Sequence, residues 1–217
     1  KEDISVNYKE DNKKWVGYTN GGPYNKWYGN LWTIVDWENK GYGIKHILDD
    51  RGKIKSRMGN EASFFKEGVT YSASGSKGIT FRYLPTNYIF DVGGSCVFPK
   101  KYLNNFYTLA FLNSKLCFYI ANCLNPTVNV QVGDLKRVPF TYPSKDYELS
   151  VQLLAENCVK IKKKLCSYLI VEQNYSHSPI TPVSSPESEL THYYNYENAL
   201  LTQILLNEAI INHIVFD

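Results

Sequence analysis

The sequence predicts a mixed α/β, strand-rich domain followed by a pair of long helices. Three observations predict it. From Trp27 to Phe140 the chain consists mainly of short apolar or alternating runs broken by Gly, Asn and Pro, the punctuation of short strands and turns. Within that stretch, Tyr102 to Leu124 switches to helical spacing. Beyond Pro143 apolar residues recur in alternating steps of three and four, the signature of a narrow helical seam. The division predicted is residues 1–143 as an α/β domain and 144–217 as a helical region with a Pro/Ser-rich loop near 174–195. No internal repeat of fixed period is present.

In chain order, the predicted strands are Thr33 to Trp37, Phe64 to Tyr71, Gly78 to Tyr83 and Tyr88 to Val92, with Val97 to Phe98 as a continuation and Val138 to Phe140 as a late strand. Turn chemistry separates them: Asp50-Arg51-Gly52-Lys53, Leu84-Pro85-Thr86-Asn87, and Asp91-Val92-Gly93-Gly94, whose glycines suit a positive φ. Leu103, Phe106, Tyr107, Ala110 and Phe111 form one helical stripe. Asn113 and Ser114 then read as a cap for a second helix burying Leu116, Cys117, Ile120 and Leu124. Asn125-Pro126 ends it, and Gly133-Asp134 begins one further helical turn. Val151, Leu154, Cys158, Ile161 and Leu165 predict a long helix over 147–170. Ser176 to Pro186 reads as a loop. A last helix from about Tyr196 to Val215 carries Leu201, Ile204, Leu205, Ile211 and Ile214 and pairs antiparallel with the first.

Composition narrows the function. Hydrophobic residues are 43% and charged residues 21%, a globular balance rather than a disordered one, and 18 tyrosines make the core aromatic. No run approaches the ~18 consecutive apolar residues of a membrane span, and no signal-peptide pattern opens the chain. The expectation is a cytoplasmic protein without a membrane partner. The chain starts at Lys1 without an initiator Met, as a piece of a longer polypeptide would. Five cysteines lack metal-ligand spacing, so no metal site is expected. Cys117, Cys158 and Cys166 instead hold apolar helical positions. The net charge of +3 is uneven: residues 1–140 hold 19 Lys+Arg against 12 Asp+Glu, and residues 141–217 hold 5 against 9. A basic front suits a phosphate backbone, although many solvated surfaces are equally basic.

The usual catalytic motifs are missing. The sequence contains no Gly-x-Gly-x-x-Gly or Walker-type loop, no His-Glu-x-x-His and no Gly-x-Ser-x-Gly. The four histidines are scattered. Asn125-Pro126-Thr127-Val128 has the first two residues of the Asn-Pro-Pro-aromatic motif that holds a flipped adenine, but lacks the ring that stacks on the base. No catalytic residue is assigned. What the front half does hold is a mixture of basic, aromatic and amide residues: Lys26-Trp27-Tyr28-Gly29-Asn30, Lys53-Ile54-Lys55-Ser56-Arg57 and Ser72-Ala73-Ser74-Gly75-Ser76-Lys77. These side chains bind phosphates and read base edges. Alternation sets Lys53, Lys55 and Arg57 on one side of an extended segment, which fits a charge-protected edge strand as well as DNA contact. Trp27, Tyr28, Trp32 and Trp37 fit core packing first.

Ordered motifs carry a resemblance. The runs Asn20-Gly21-Gly22-Pro23-Tyr24-Asn25-Lys26-Trp27-Tyr28-Gly29-Asn30, Val35-Asp36-Trp37-Glu38-Asn39-Lys40-Gly41, Phe65-Lys66-Glu67-Gly68-Val69-Thr70, Arg82-Tyr83-Leu84-Pro85, Phe90-Asp91-Val92-Gly93-Gly94, Phe111-Leu112-Asn113-Ser114-Lys115 and Asn125 to Leu135 resemble, in that order, the recognition region of PglX-type adenine methyltransferases of BREX phage-exclusion systems. Leu153-Leu154-Ala155-Glu156-Asn157 and Leu206-Asn207-Glu208, with Asn212 and Phe216, are similar to that family's following helices. A Trp/Asp-rich run between those helices is replaced here by Leu165-Cys166-Ser167-Tyr168 and Tyr175 to Pro179. The front also resembles type I restriction specificity subunits and the readers of single-chain restriction-modification enzymes. The resemblance implies a target-recognition domain with a helical spacer. Its partners are double-stranded DNA, an N-terminal methyltransferase domain of the same polypeptide that holds S-adenosylmethionine, and other defence-system proteins. This fragment itself carries no cofactor. Residue type and loop position single out Lys26, Tyr28, Asn30, Lys53, Lys55, Arg57, Ser74, Ser76, Lys77 and Arg82 for DNA contact, with Asn129 and Gln131 added from an otherwise structural turn. A protein-interaction module of a defence complex is the rival reading.

Overall fold

A computed structural model describes residues 3–56, 58–180 and 185–216. Two small three-stranded sheets sit side by side, and helices cover one of them. The first sheet has the order β2-β1-β5, where β1 (Trp15–Thr19) pairs antiparallel with β2 (Ile34–Asp36) and parallel with β5 (Tyr88–Phe90). The second has the order β4-β3-β6, all antiparallel, from β3 (Gly68–Tyr71), β4 (Phe81–Leu84) and β6 (Cys96–Val97). Thr19 and Thr70 join the sheets through hydroxyls 3.4 Å apart.

The helices follow the predicted periodicities, with shifted ends. α1 (Tyr8–Asp11) and α2 (Glu38–Lys45) flank the first sheet. α3 (Asn105–Asn113) starts at Asn104, whose side chain accepts from the amides of Phe106 and Tyr107. Ser114 caps α4 (Lys115–Leu124) by accepting from Cys117 N–H at 3.1 Å, as its residue type predicts. α5 (Val132–Leu135) is the single turn expected at Gly133-Asp134. α6 (Lys145–Cys166) buries Val151, Cys158, Ile161 and Leu165 of the predicted seam, leaves Leu154 partly buried, and adds Ala155 and Val159. α7 runs from Pro186 to Phe216, ten residues before its predicted start at Tyr196. Proline fits the first helical turn because it lacks an N–H there, and Glu187 and Glu189 favour a helix N-terminus. The predicted loop therefore shortens, and its residues 181–184 lie outside the described residues.

Four further expectations need correction. Residues 138–140 form no strand: Phe140 packs edge-on against Phe111 and Tyr107 instead. The strand predicted from Phe64 starts only at Gly68, because Phe65 takes φ 58° and turns the chain into the small second core beside Trp37. Gly93 and Gly94 do not adopt positive φ; they are glycine for space, since a Cβ on Gly93 would lie 2.8 Å from the Asn20 carbonyl oxygen. In α7, Leu201 and Leu205 face outward at 38% and 64% exposure, and the inward positions are Ile204, Asn207 and Ile211.

The main core runs from Val69, Tyr71 and Phe81 through α3 to Val151, Cys158, Leu165, Ile204 and Ile211, so α6 and α7 share one interior with the second sheet. α7 is long and apolar enough by length and composition to cross a membrane. Counting uninterrupted apolar residues misses this because polar residues divide the run, Asn207, Glu208 and Asn212 among them. Each of these polar groups is engaged: Asn207 Nδ2 donates to Asn157 Oδ1 at 2.9 Å, Asn212 Oδ1 accepts from Lys115 N–H at 2.7 Å, and Glu208 accepts from Trp27.

Candidate nucleic-acid interface

The loop from Asn20 to Asn30 is built by burying its conspicuous residues. Trp27 is 1% exposed and holds φ 73°, a conformation rare for a bulky side chain. It is retained because the backbone bonds on both sides to β4, with Trp27 N–H on Phe81 O at 2.9 Å and Tyr83 N–H on Trp27 O at 2.8 Å. The indole Nε1 donates to Glu208 Oε1 at 2.7 Å, and Lys26 Nζ lies 3.3 Å from Glu208 Oε2 and from Asn113 O. Asn30, in the left-handed region, donates its Nδ2 to Pro23 O at 2.8 Å. Tyr28 is buried, and burial pushes its hydroxyl pKa up. Gly21 packs against Gly93, where a Cβ would stand 2.7 Å from the Gly93 carbonyl oxygen. Lys26, Tyr28 and Asn30 thus brace this turn.

The turn forms one wall of a cavity of about 410 Å³ lined by Gly22, Pro23, Tyr24, Ser72, Ser74, Gly75, Ser76, Lys77, Gly78 and Thr80. The opposite wall is the β3–β4 hairpin loop. That loop is anchored at its base by Ala73 N–H to Gly93 O at 3.0 Å and by a bridge of Ser74 to Asn129, with Gly75 N–H on Val128 O at 3.0 Å and Val130 N–H on Ala73 O at 2.9 Å. Gly78, at φ 89°, lies under the Phe118 ring. Ser74, Ser76 and Lys77 point their exposed side chains at the rim. The structure therefore brings Ser74, Ser76, Lys77 and Asn129 together, with Gln131 two residues on. Asp134 fixes that last segment by accepting from Gln131 N–H at 2.9 Å and Asn125 Nδ2 at 2.7 Å. The same two bonds hold its carboxyl below the usual range.

Arg82 is not at the surface. It is fully buried on β4, with Nη2 donating to Ser72 Oγ at 3.2 Å, while that hydroxyl donates to Gly22 O at 2.9 Å. Burial lowers its pKa to about 10. Lys53 and Lys55 stand exposed on a separate hairpin, closed by the Leu48–Ile54 bridge and by Asp49 accepting from Arg51 and Lys53 amides at 2.9 and 2.8 Å. Arg57 lies outside the described residues. Beside this hairpin, Ile47, Ile44, Val35, Phe64, Ile89 and Val132 line an apolar groove of about 680 Å³.

Tyr24 and Thr80 line the cavity without having been singled out, and Ser72, named in its run, was not chosen for DNA contact. For Ser72 and Thr80 a signal existed: strands meeting at Tyr71 and Phe81 set them opposite each other one step on, on the same sheet face. Among the described residues no group of three or more His, Cys, Asp or Glu is placed to hold a metal ion.

No protein-family model matches the chain. It is similar to the adenine-specific methyltransferase PglX of Lacticaseibacillus casei (strain Zhang), with 32% identity over 156 residues, covering 71% of this chain and 13% of the relative. It is also similar to the adenine-specific methyltransferase BrxX of Escherichia coli O9:H4 (strain HS), with 30% identity over 207 residues, covering 94% of this chain and 16% of the relative. The chain is therefore a homologue of a short segment of the adenine-specific methyltransferases PglX and BrxX.

Proposed function

We propose that this chain is the DNA target-recognition segment of an adenine-specific methyltransferase acting in BREX-type phage defence, with residues 1–143 as the reader and 144–217 as its helical spacer. The observation that carries the reading is an alignment over 94% of this chain that takes up 16% of a methyltransferase, in a segment without the motifs that methyl transfer to adenine requires. A division of labour follows, in which this segment selects the site and another part performs the chemistry. S-adenosylmethionine belongs to that other part.

The rim of Ser74, Ser76, Lys77 and Asn129 supplies hydroxyl, ammonium and amide groups suited to phosphates and base edges in a groove. Lys53 and Lys55 supply a second cationic contact, and Lys26, Tyr28, Asn30 and Arg82 act by holding the rim in shape. The test joins this chain to its catalytic domain and maps methylated adenines genome-wide, with Lys77→Ala and a Lys53→Ala/Lys55→Ala pair. Methylation at the same sites and level in both variants would show that neither feature touches DNA.

A second reading has its own support. Leu149, Leu153, Leu205 and Leu206 leave an apolar surface on α6 and α7, each more than half exposed, which suits a protein partner. Under that reading alone the chain shows little salt-dependent DNA affinity.

A further inference from the structure

Thr70 and Arg82 are directly paired across β3 and β4, and the next same-face pair outward is Ser72 and Thr80. Both of these line the cavity under Gly22, so Arg82 is the residue immediately behind it. Its Nε and Nη1 are buried and have no partner among the described residues. Burial leaves the guanidinium charged at neutral pH, since its pKa falls only to about 10. The ion pairs of the described residues engage Lys14, Lys26 and Lys45, and none engages Arg82. A buried cation without a counter-anion is destabilising, and an anion placed nearby relieves it. Along the cavity, the hydroxyls of the exposed Ser74 and Ser76 and the buried Thr80, and the Lys77 ammonium, engage no partner among the described residues, and no acidic side chain is among the lining residues.

We propose that this cavity is a phosphate-binding subsite, in which Ser72, Ser74, Ser76, Thr80 and Lys77 donate directly and Arg82 acts through Ser72 as a positioning residue. On binding, the Ser72 proton turns from the Gly22 carbonyl to a phosphate oxygen while Arg82 keeps donating to Ser72 Oγ, which strengthens the hydroxyl as a donor. The phosphodiester of DNA is the source assigned, and that assignment rests on the DNA-recognition reading. Inorganic phosphate or a free nucleotide offers the same chemistry.

Two measurements on the full chain test it. Inorganic phosphate, titrated against a chloride control, is expected to shift the amide resonances of Ser74 to Gly78 saturably. Ser72→Ala weakens that binding by about tenfold, the range of a charge-assisted bond, and Ser72→Thr restores it, with dispersed amide spectra reporting intact folds in both. For a mixed-sequence duplex, Lys77→Met is expected to reduce the slope of log affinity against log salt by about 0.9, one phosphate contact. Phosphate shifts in a chain without DNA affinity keep the subsite and overturn the DNA source. Salt-dependent DNA binding with an unchanged Lys77→Met slope and no shifts at the loop overturns the subsite and leaves the DNA reading standing.

Discussion

Glu208 is the residue whose loss the fold should feel most sharply for its size. Its two oxygens receive the Trp27 indole and the Lys26 ammonium, and its side chain is only 19% exposed. Glu208→Ala leaves both donors without a partner and is expected to destabilise the chain by about 2 kcal/mol, read from urea denaturation. Lys26→Ala, which leaves the Trp27 bond intact, costs less. A different residue sets the acid limit of the N-terminus. Burial pushes the Asp11 carboxyl up, but the Ser5 hydroxyl and the amides of Lys13, Val6 and Asn7 outweigh it and bring its pKa to about 2 from 3.8. A carboxyl depressed on folding stabilises above its unfolded pKa, and that contribution is lost as pH falls from about 4 to about 2. The Val6 and Asn7 amide resonances should move together through that window and stay flat in Asp11→Asn. The thiols divide just as clearly. Burial raises Cys96, Cys117 and Cys158 to about 12 and Cys166 to about 11, whereas Cys123 is exposed. An alkylating reagent at pH 8 should label Cys123 alone in the folded chain, because thiolate is the reactive form; rapid labelling of Cys158 would contradict the packing described.

At the scale of elements, what the sequence disclosed depended on whether neighbours or distant partners decide the outcome. The α6 seam and the Ser114 cap were legible because helical spacing and cap chemistry are local; the Asn104 cap, equally local, was not predicted. β1 was not predicted, although it is the centre of its sheet. Trp15 to Thr19 is five residues, and only pairing with β2 and with β5 some seventy residues on makes it a strand. The α7 face was misread at Leu201 and Leu205, which face outward, and at Asn207, which is buried and bonded to Asn157; no periodicity of apolar residues marks a polar residue for the inside. The candidate site was half legible for the same reason. The Ser72 to Lys77 loop stands out by composition, while the burial of Arg82 depends on which face the register gives it and that of Tyr28 and Asn30 on a loop held by contacts to Phe81, Tyr83 and Pro23. The corrected α7 face carries a test: Ile211→Ala should cost about 3 kcal/mol as a fully buried truncation, whereas Leu205→Ser should stay within ~0.5 kcal/mol.

For the whole molecule, the two halves differ in charge and in proposed role but share an interior. Tyr107, Leu109 and Phe111 of α3 belong to one core with Val151, Cys158 and Ile204. Residues 1–143 alone would expose that face to water and are expected to lack dispersed amide resonances, while the full chain gives a folded spectrum. A dispersed spectrum from the truncated chain would mean that the helices merely lean on the α/β part. Glu208 also ties α7 to the Asn20–Asn30 turn, so the helical region is bonded directly to one wall of the cavity.

The freedom of the Ser74 to Lys77 side chains has an evolutionary consequence. Because Ser74, Ser76 and Lys77 hold up nothing in the interior, selection for folding places almost no demand on which residues stand there. The restraints fall on the backbone anchors at Ala73, Gly75 and Val130 and on Gly78. Substitutions at those three positions can therefore change the chemistry this rim presents while the fold stays intact at every intermediate step.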